Sequence, residues 1–116
     1  MKSFLFKNIA KSYLLFKGRY FQNSNASKSI LFIIPWLTFG GAEKVNLQIM
    51  EALKADEWNI FIITTKSRRH GWKSEFRRYS QNILHIESIP QKLHTYIFLE
   101  LIKRYNVRIT LISNSL

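Results

Sequence analysis

Two uninterrupted apolar runs with a paired glycine and a helical stretch between them constrain this chain more than any other feature. Ile30 to Ile34 (ILFII) has the composition of a strand buried on both faces, and Pro35 ends it. After Trp36-Leu37-Thr38-Phe39 comes Gly40-Gly41. Ala42 to Ala55 then places Ala42, Val45, Ile49 and Leu53 at the spacing of one helical face. Asn59 to Thr65 (NIFIITT) is a second buried strand. A strand, glycine turn, helix and strand form a βαβ unit, whose right-handed crossover makes the strands parallel.

The series continues with weaker signals. Trp72 to Tyr79 suits a short helix, Ile83 to Ile86 a third strand, Leu93 to Tyr105 a long helix and Val107 to Ile112 a fourth strand. The expected class is α/β, a Rossmann-like doubly wound parallel sheet in the order 3-2-1-4, incomplete, with an amphipathic N-terminal helix. Ligands of such sheets sit beyond the carboxyl ends of the strands, where the order reverses. That crevice lies between strands one and four. Its walls are Phe39, Gly40 and Gly41 on one side and Ser113, Asn114 and Ser115 on the other. Paired glycines admit close backbone approach, and the N–H groups opening a helix suit phosphate or carboxylate. A glycine pair before a helix is also ordinary turn geometry. Neither a G-x-G-x-x-G nor a Walker lysine motif is present, which weakens dinucleotide and P-loop readings.

Charge decides the class of partner. Eighteen Lys and Arg against seven Asp and Glu leave 116 residues at +11, which suits phospholipid, nucleic acid or a phosphorylated substrate. The absence of cysteine excludes disulfides, thiolate zinc sites and thiol catalysis.

Residues 1–28 hold six of the cations (Lys2, Lys7, Lys11, Lys17, Arg19, Lys28) and no acid. Phe6, Ile9, Ala10, Tyr13, Phe16 and Tyr20 recur at near-helical spacing, and the lysines break any run long enough to span a bilayer or serve as a signal peptide. Such a helix can lie in an anionic membrane surface, each basic residue contributing about 1 kcal/mol. Packing against other protein and a disordered basic arm are the alternatives. Gln22 to Ser29 reads as a polar linker, so the expected division is a basic segment and linker over 1–28 and a partial Rossmann-like domain over 29–116.

A second basic cluster, Lys66, Arg68, Arg69, Lys73, Arg77 and Arg78, faces one acid, Glu75, and alternates with Trp72 and Phe76. It suits an anionic surface, a phosphorylated lipid acceptor or single-stranded nucleic acid; a solvated loop with inward aromatics is the plainer account. His70, His85 and His94 are too scattered for a metal motif and fit structural or exposed roles. No G-x-S-x-G and no complete catalytic constellation is visible, so no catalytic residue and no metal ligand is assigned.

The stretch Ile30 to Thr65, with its turn Gly40-Gly41-Ala42-Glu43-Lys44-Val45, resembles the opening of family 4 glycosyltransferases of the GT-B fold. Val107 to Leu116 looks like their fourth strand and the loop after it, so the resemblance covers roughly residues 30 to 116. It implies retaining transfer of a sugar from a nucleotide-sugar to an acceptor hydroxyl, with no cofactor beyond the donor substrate and no bound metal. The N-terminal domain of that family shapes the acceptor side and its glycine turn approaches the donor diphosphate. In this chain the turn would supply backbone donors to charge growing on the leaving phosphate.

Two departures stand out. Glu57-Trp58 occupies the place where the family often has Gly-His. The family also has two such domains, whereas this sequence covers part of the first, so the chain alone is expected to be inactive. Glu43 and Glu51 match the spacing of the family's Glu-x7-Glu motif, but positions eight apart on a helix differ by about 80° in direction, and that motif belongs to the other domain.

The expectation is therefore the acceptor-side part of a glycosyltransferase of glycan or polysaccharide synthesis, cytoplasmic and peripheral on the inner face of the cell membrane. Its partners would be a nucleotide-sugar, a glycan or lipid-linked acceptor, an anionic membrane surface and the remaining C-terminal domain. The competing class is a non-catalytic basic module binding nucleic acid or another anionic partner, with affinity falling steeply in salt.

Overall fold

The computed structural model describes residues 2–22, 28–37, 41–66 and 71–113. Its elements run α1 (Lys2–Gly18), β1 (Lys28–Ile34), α2 (Gly41–Ala55), β2 (Trp58–Thr64), α3 (Lys73–Arg77), β3 (Asn82–His85), a 3-10 turn (Gln91–Leu93), α4 (His94–Arg104) and β4 (Val107–Ile112). The four strands form one parallel sheet in the order β3-β2-β1-β4. Every element expected from the sequence is present, with ends shifted by a residue or two. The largest extension is at β1, where Lys28 and Ser29 pair with Trp58 and Asn59 and so belong to the sheet rather than to a linker.

Strand alternation explains the two cores. On one face Leu31, Ile33, Phe61, Ile63, Leu84 and Ile86 pack against Ala10 and Leu14 of α1 and Ile97 and Leu101 of α4. On the other, Ile30, Phe32, Ile34, Ile60 and Ile62 pack against Leu37, Met50 of α2 and Phe76 of α3. Both faces are covered, so β1 and β2 carry side chains of one kind throughout rather than an apolar–polar alternation.

A bulge in β4 changes which face its side chains meet. Val107 stands opposite Ser29, yet Ile109 stands opposite Ile30, so two steps on β4 match one on β1. Val107 accordingly packs on the α1–α4 side and Leu111 on the α2–α3 side. Ile109 and Ile112 stay exposed on this edge strand.

Two helical faces differ from the sequence reading. In α1 the buried residues are Ala10 and Leu14, while Ile9, Phe16 and Tyr20 point outward. Apolar residues occur nearly all round this helix, so spacing alone does not select the inward side. Burying a Leu such as Leu14 contributes about 2 kcal/mol, and here it docks α1 onto the sheet and α4. Gly18, the last residue of α1, passes so close to Tyr105 that a Cβ there would lie 2.5 Å from the phenol oxygen. In α2 Asn46 and Met50 are buried, with Leu47 and the expected Leu53 packed against the same core, while Val45 and Ile49 are exposed. Asn46 turns inward because it has a polar partner at the end of β4.

Candidate functional site

The carboxyl edge of the sheet is knitted from three loops. Past β1, the Pro35 carbonyl accepts from the Lys66 N–H at 2.9 Å and the Leu37 carbonyl from the Trp72 N–H at 2.9 Å. Past β4, the Ser113 N–H donates to the Ile33 carbonyl at 2.9 Å, carrying the β1–β4 pairing one step beyond the strand. The switch point therefore has a defined floor. Asn46, only 6% exposed, spans it: its Nδ2 donates to Ser113 Oγ at 3.0 Å. A buried carboxamide needs such a partner, because an unmet amide in an apolar setting costs about 1–3 kcal/mol.

Gly41 heads α2 beside this junction, so the helix's first N–H groups and the positive end of its dipole lie at the strand-order reversal. Of the expected crevice walls, Ser113 is bonded to Asn46 of α2, the helix that Gly41 begins. Phe39, Gly40, Asn114 and Ser115 lie outside the described residues. Asn46 escaped the sequence reading; its signal was a polar residue one helical turn past a glycine turn, in line with Met50.

A second polar group stands at the carboxyl ends of β2 and β3. The Thr64 hydroxyl donates to the Glu87 carboxylate and lies 2.6 Å from His85 Nδ1, with His85 Nδ1 3.7 Å from Glu87 Oε1. Glu87 also acts on its surroundings. Burial, and then the Glu87 charge, raise the Tyr13 phenol above its ordinary pKa. The Lys73 ammonium is pulled down by burial and by Arg77, with Glu87 opposing. The hydroxyl, imidazole and carboxylate form one polar group across the ends of β2 and β3. From the sequence His85 fits a structural or exposed role; the clue to its partner is an acid two residues on, just past a strand end. His94 is a brace, its Nε2 within 3.0 Å of the Ile86 carbonyl and 2.9 Å of the Ile89 carbonyl. His70 lies outside the described residues.

The basic stretch after β2 does not form one patch. Exposed Lys66 sits at the carboxyl edge beside Pro35, and Lys73 stands between the edges, within reach of both Arg77 and Glu87. The chain then runs back along α3, so Arg77 and Arg78 emerge at the opposite, amino edge, near the start of β2 and β3. Arg68 and Arg69 lie outside the described residues.

Among the described residues no group of three or more His, Asp or Glu is placed to hold a metal ion. No described helix is long and apolar enough to cross a membrane. No protein-family model, curated protein or solved structure matches this chain.

Proposed function

We propose that this chain is the N-terminal, acceptor-side part of a retaining glycosyltransferase that moves a sugar from a nucleotide-sugar to an acceptor hydroxyl at a membrane surface. The observation that carries the reading is the start of α2 at the strand-order reversal, with Gly41 heading the helix and Asn46 tied to Ser113. This is where a doubly wound sheet offers backbone donors to an anionic ligand. The donor diphosphate would approach the Phe39–Gly41 turn, and the residues after β4, Ser113 to Ser115, would form the facing wall. Lys66 at the same edge, and Lys73 between the edges, would attract a phosphorylated or lipid-linked acceptor.

The edge strand supports a larger enzyme around this unit. Ile109 on β4, opposite Ile30, and Val45 and Ile49 on α2 are apolar and exposed on the α2 side of the sheet, and Ile112, opposite Ile33, is exposed on the other side; such an edge suits cover by further protein, here the C-terminal domain. Placement on the cytoplasmic face of the cell membrane rests on α1. Leu5, Ile9, Phe16 and, just past the helix end, Tyr20 form an outward stripe at helical spacing with Arg19 beside it, while Lys7 and Lys11 lie toward α4 on the other side. Aromatic and basic residues in that combination suit an anionic bilayer interface.

The test is turnover of UDP- and GDP-sugars by the product of the complete reading frame, with lipid and glycan acceptors. Sugar transfer or donor hydrolysis is expected there and none from the 116-residue chain alone. A complete product without either activity overturns the reading, and salt-sensitive RNA binding by it would favour the basic-module alternative.

A further inference from the structure

The amino edge of the sheet, opposite the site above, holds a cavity of about 370 Å³. Three cations converge on it from two elements: Lys54 in the last turn of α2, and Arg77 and Arg78 at the end of α3. Among the described residues no carboxylate lines it. Of the acids on the neighbouring turns, Glu75 is engaged by Arg78 Nη1 at 3.3 Å and Asp56 by Lys28 Nζ at 3.0 Å and Trp58 Nε1 at 3.1 Å, and exposed Glu57 is not among the lining residues. Lys54 and Arg77 make no ion pair with any described residue. A cation in the last turn of a helix complements the helix dipole, but that does not account for three converging on one cavity.

The walls are held in place before any ligand arrives. Gln22 donates its N–H to Asn82 Oδ1 at 2.8 Å, and the Asn82 amide reaches back to the Gln22 carbonyl and across to Asn59 Oδ1, both at 3.4 Å. Ser80 donates its hydroxyl to the Ile60 carbonyl, and Gln81 Nε2 holds the Arg77 carbonyl at 3.0 Å. The Gln81 bond fixes the end of α3 and therefore the origin of both guanidinium groups. Trp58 and Tyr79 add partly buried rings to the lining.

We infer that this amino-edge cavity is a phosphate-recognition site, built by Lys54, Arg77 and Arg78, for a phosphate monoester borne on a sugar or on a lipid headgroup. Guanidinium groups present paired N–H donors matching phosphate oxygens, and a lysine adds a mobile point charge. Carboxamides and aromatic rings beside them suit the hydroxyls and apolar face of an attached sugar or glycerol. At about 3.3 Å per residue, the seven residues of β2 separate this cavity from the carboxyl edge by roughly 20 Å. It therefore cannot hold the phosphate of a donor at Gly41, and it stands or falls independently of the transfer reaction.

The experiment is NMR titration of the 116-residue chain at 150 mM salt, following the Trp58 indole and Arg77 side-chain N–H signals. The probes are inorganic phosphate, glucose 6-phosphate, unphosphorylated glucose, and phosphatidylcholine vesicles with and without phosphatidic acid. Saturable shifts with glucose 6-phosphate and none with glucose are expected, and the double variant Lys54→Gln/Arg77→Gln should weaken binding at least tenfold with an unchanged melting midpoint. Binding of phosphatidic acid vesicles with the same dependence on Lys54 and Arg77 also supports the site and identifies a lipid source. No saturable shift with any phosphate-bearing probe overturns the inference. So does equal affinity in the double variant.

Discussion

At the scale of single residues, the ends of α2 and α4 pose the same backbone problem with different side chains. Both helices are followed by a residue in the left-handed region, Glu57 with φ 61° and Asn106 with φ 54°. Asn tolerates that conformation because its short side chain bonds locally, whereas a long side chain with a Cβ is strained there by about 1–2 kcal/mol. Glu57 is also exposed and forms no ion pair among the described residues, so nothing visible compensates it. Glu57→Gly is therefore expected to stabilise the fold by about 0.5–1 kcal/mol, the strain relieved less the entropy that glycine adds to the unfolded chain. Glu57→Asn should give part of that gain and Asn106→Gly little change. Urea unfolding of the three variants at moderate salt checks this, and a destabilised Glu57→Gly would mean the Glu side chain has a role its exposure conceals.

Among the elements, α3 is the one that cannot hold itself. Five residues are far short of the roughly 12–15 an isolated helix needs in water. Its anchor is Phe76, with 0% exposure, set among Ile62, Met50 and neighbouring side chains beneath α2 and β2. Phe76→Ala is expected to cost about 3–5 kcal/mol through lost burial and the cavity left behind. In urea the midpoint should fall sharply, and a loss below about 1 kcal/mol would show that α3 is held by its backbone bonds instead. The same element shows where sequence reading reaches its limit. β1, β2 and the 3-2-1-4 order were legible because ILFII and NIFIITT are runs of one kind and handedness leaves few topologies. The helix at Trp72 to Tyr79 was legible too, but not that the basic stretch from Lys66 to Arg78 runs from the carboxyl edge of the sheet to the amino edge. Periodicity reports which residues share a face; it does not report how far along a short helix the chain has travelled. For α1 and α2 even the face was ambiguous. Phe4, Leu5, Phe6, Ile9, Leu14, Leu15 and Phe16 surround α1, and α2 turned toward Ser113 by a polar contact that no apolar pattern encodes. The Thr64, His85 and Glu87 group joins two strands 21 residues apart, and only the β2–β3 register, Thr64 opposite His85, brings it together.

In the whole molecule, the two ends of the described chain close over the same face of the sheet. Tyr13 comes from α1, and Tyr105 follows α4 just before β4. Tyr105 lies tilted against Phe61 of β2 and edge-on to Phe21, at ring separations of 4.7 and 5.6 Å, while its hydroxyl abuts Gly18. Burial raises the ionisation of both phenols above the ordinary value, with Glu87 adding to the effect at Tyr13 and Arg104 opposing it at Tyr105. A phenol whose native pKa is raised favours folding in its neutral form. That stability is fully present below the unfolded value of about 10 and is lost as pH rises through the higher native value. The docking of α1 and the α4–β4 junction should therefore loosen together in alkali. Lysines lose charge over the same range and relieve the self-repulsion of a +11 chain, an opposing effect that does not depend on either tyrosine. The Tyr13→Phe/Tyr105→Phe variant separates the two effects, since it keeps the rings and removes only the ionisable hydroxyls. Melting midpoints measured from pH 8 to about 11.5 should fall more steeply above pH 10 for the natural sequence than for this variant. Parallel curves would mean that the phenols ionise without disturbing the fold, and that the outer layer is held by its aromatic and aliphatic contacts alone.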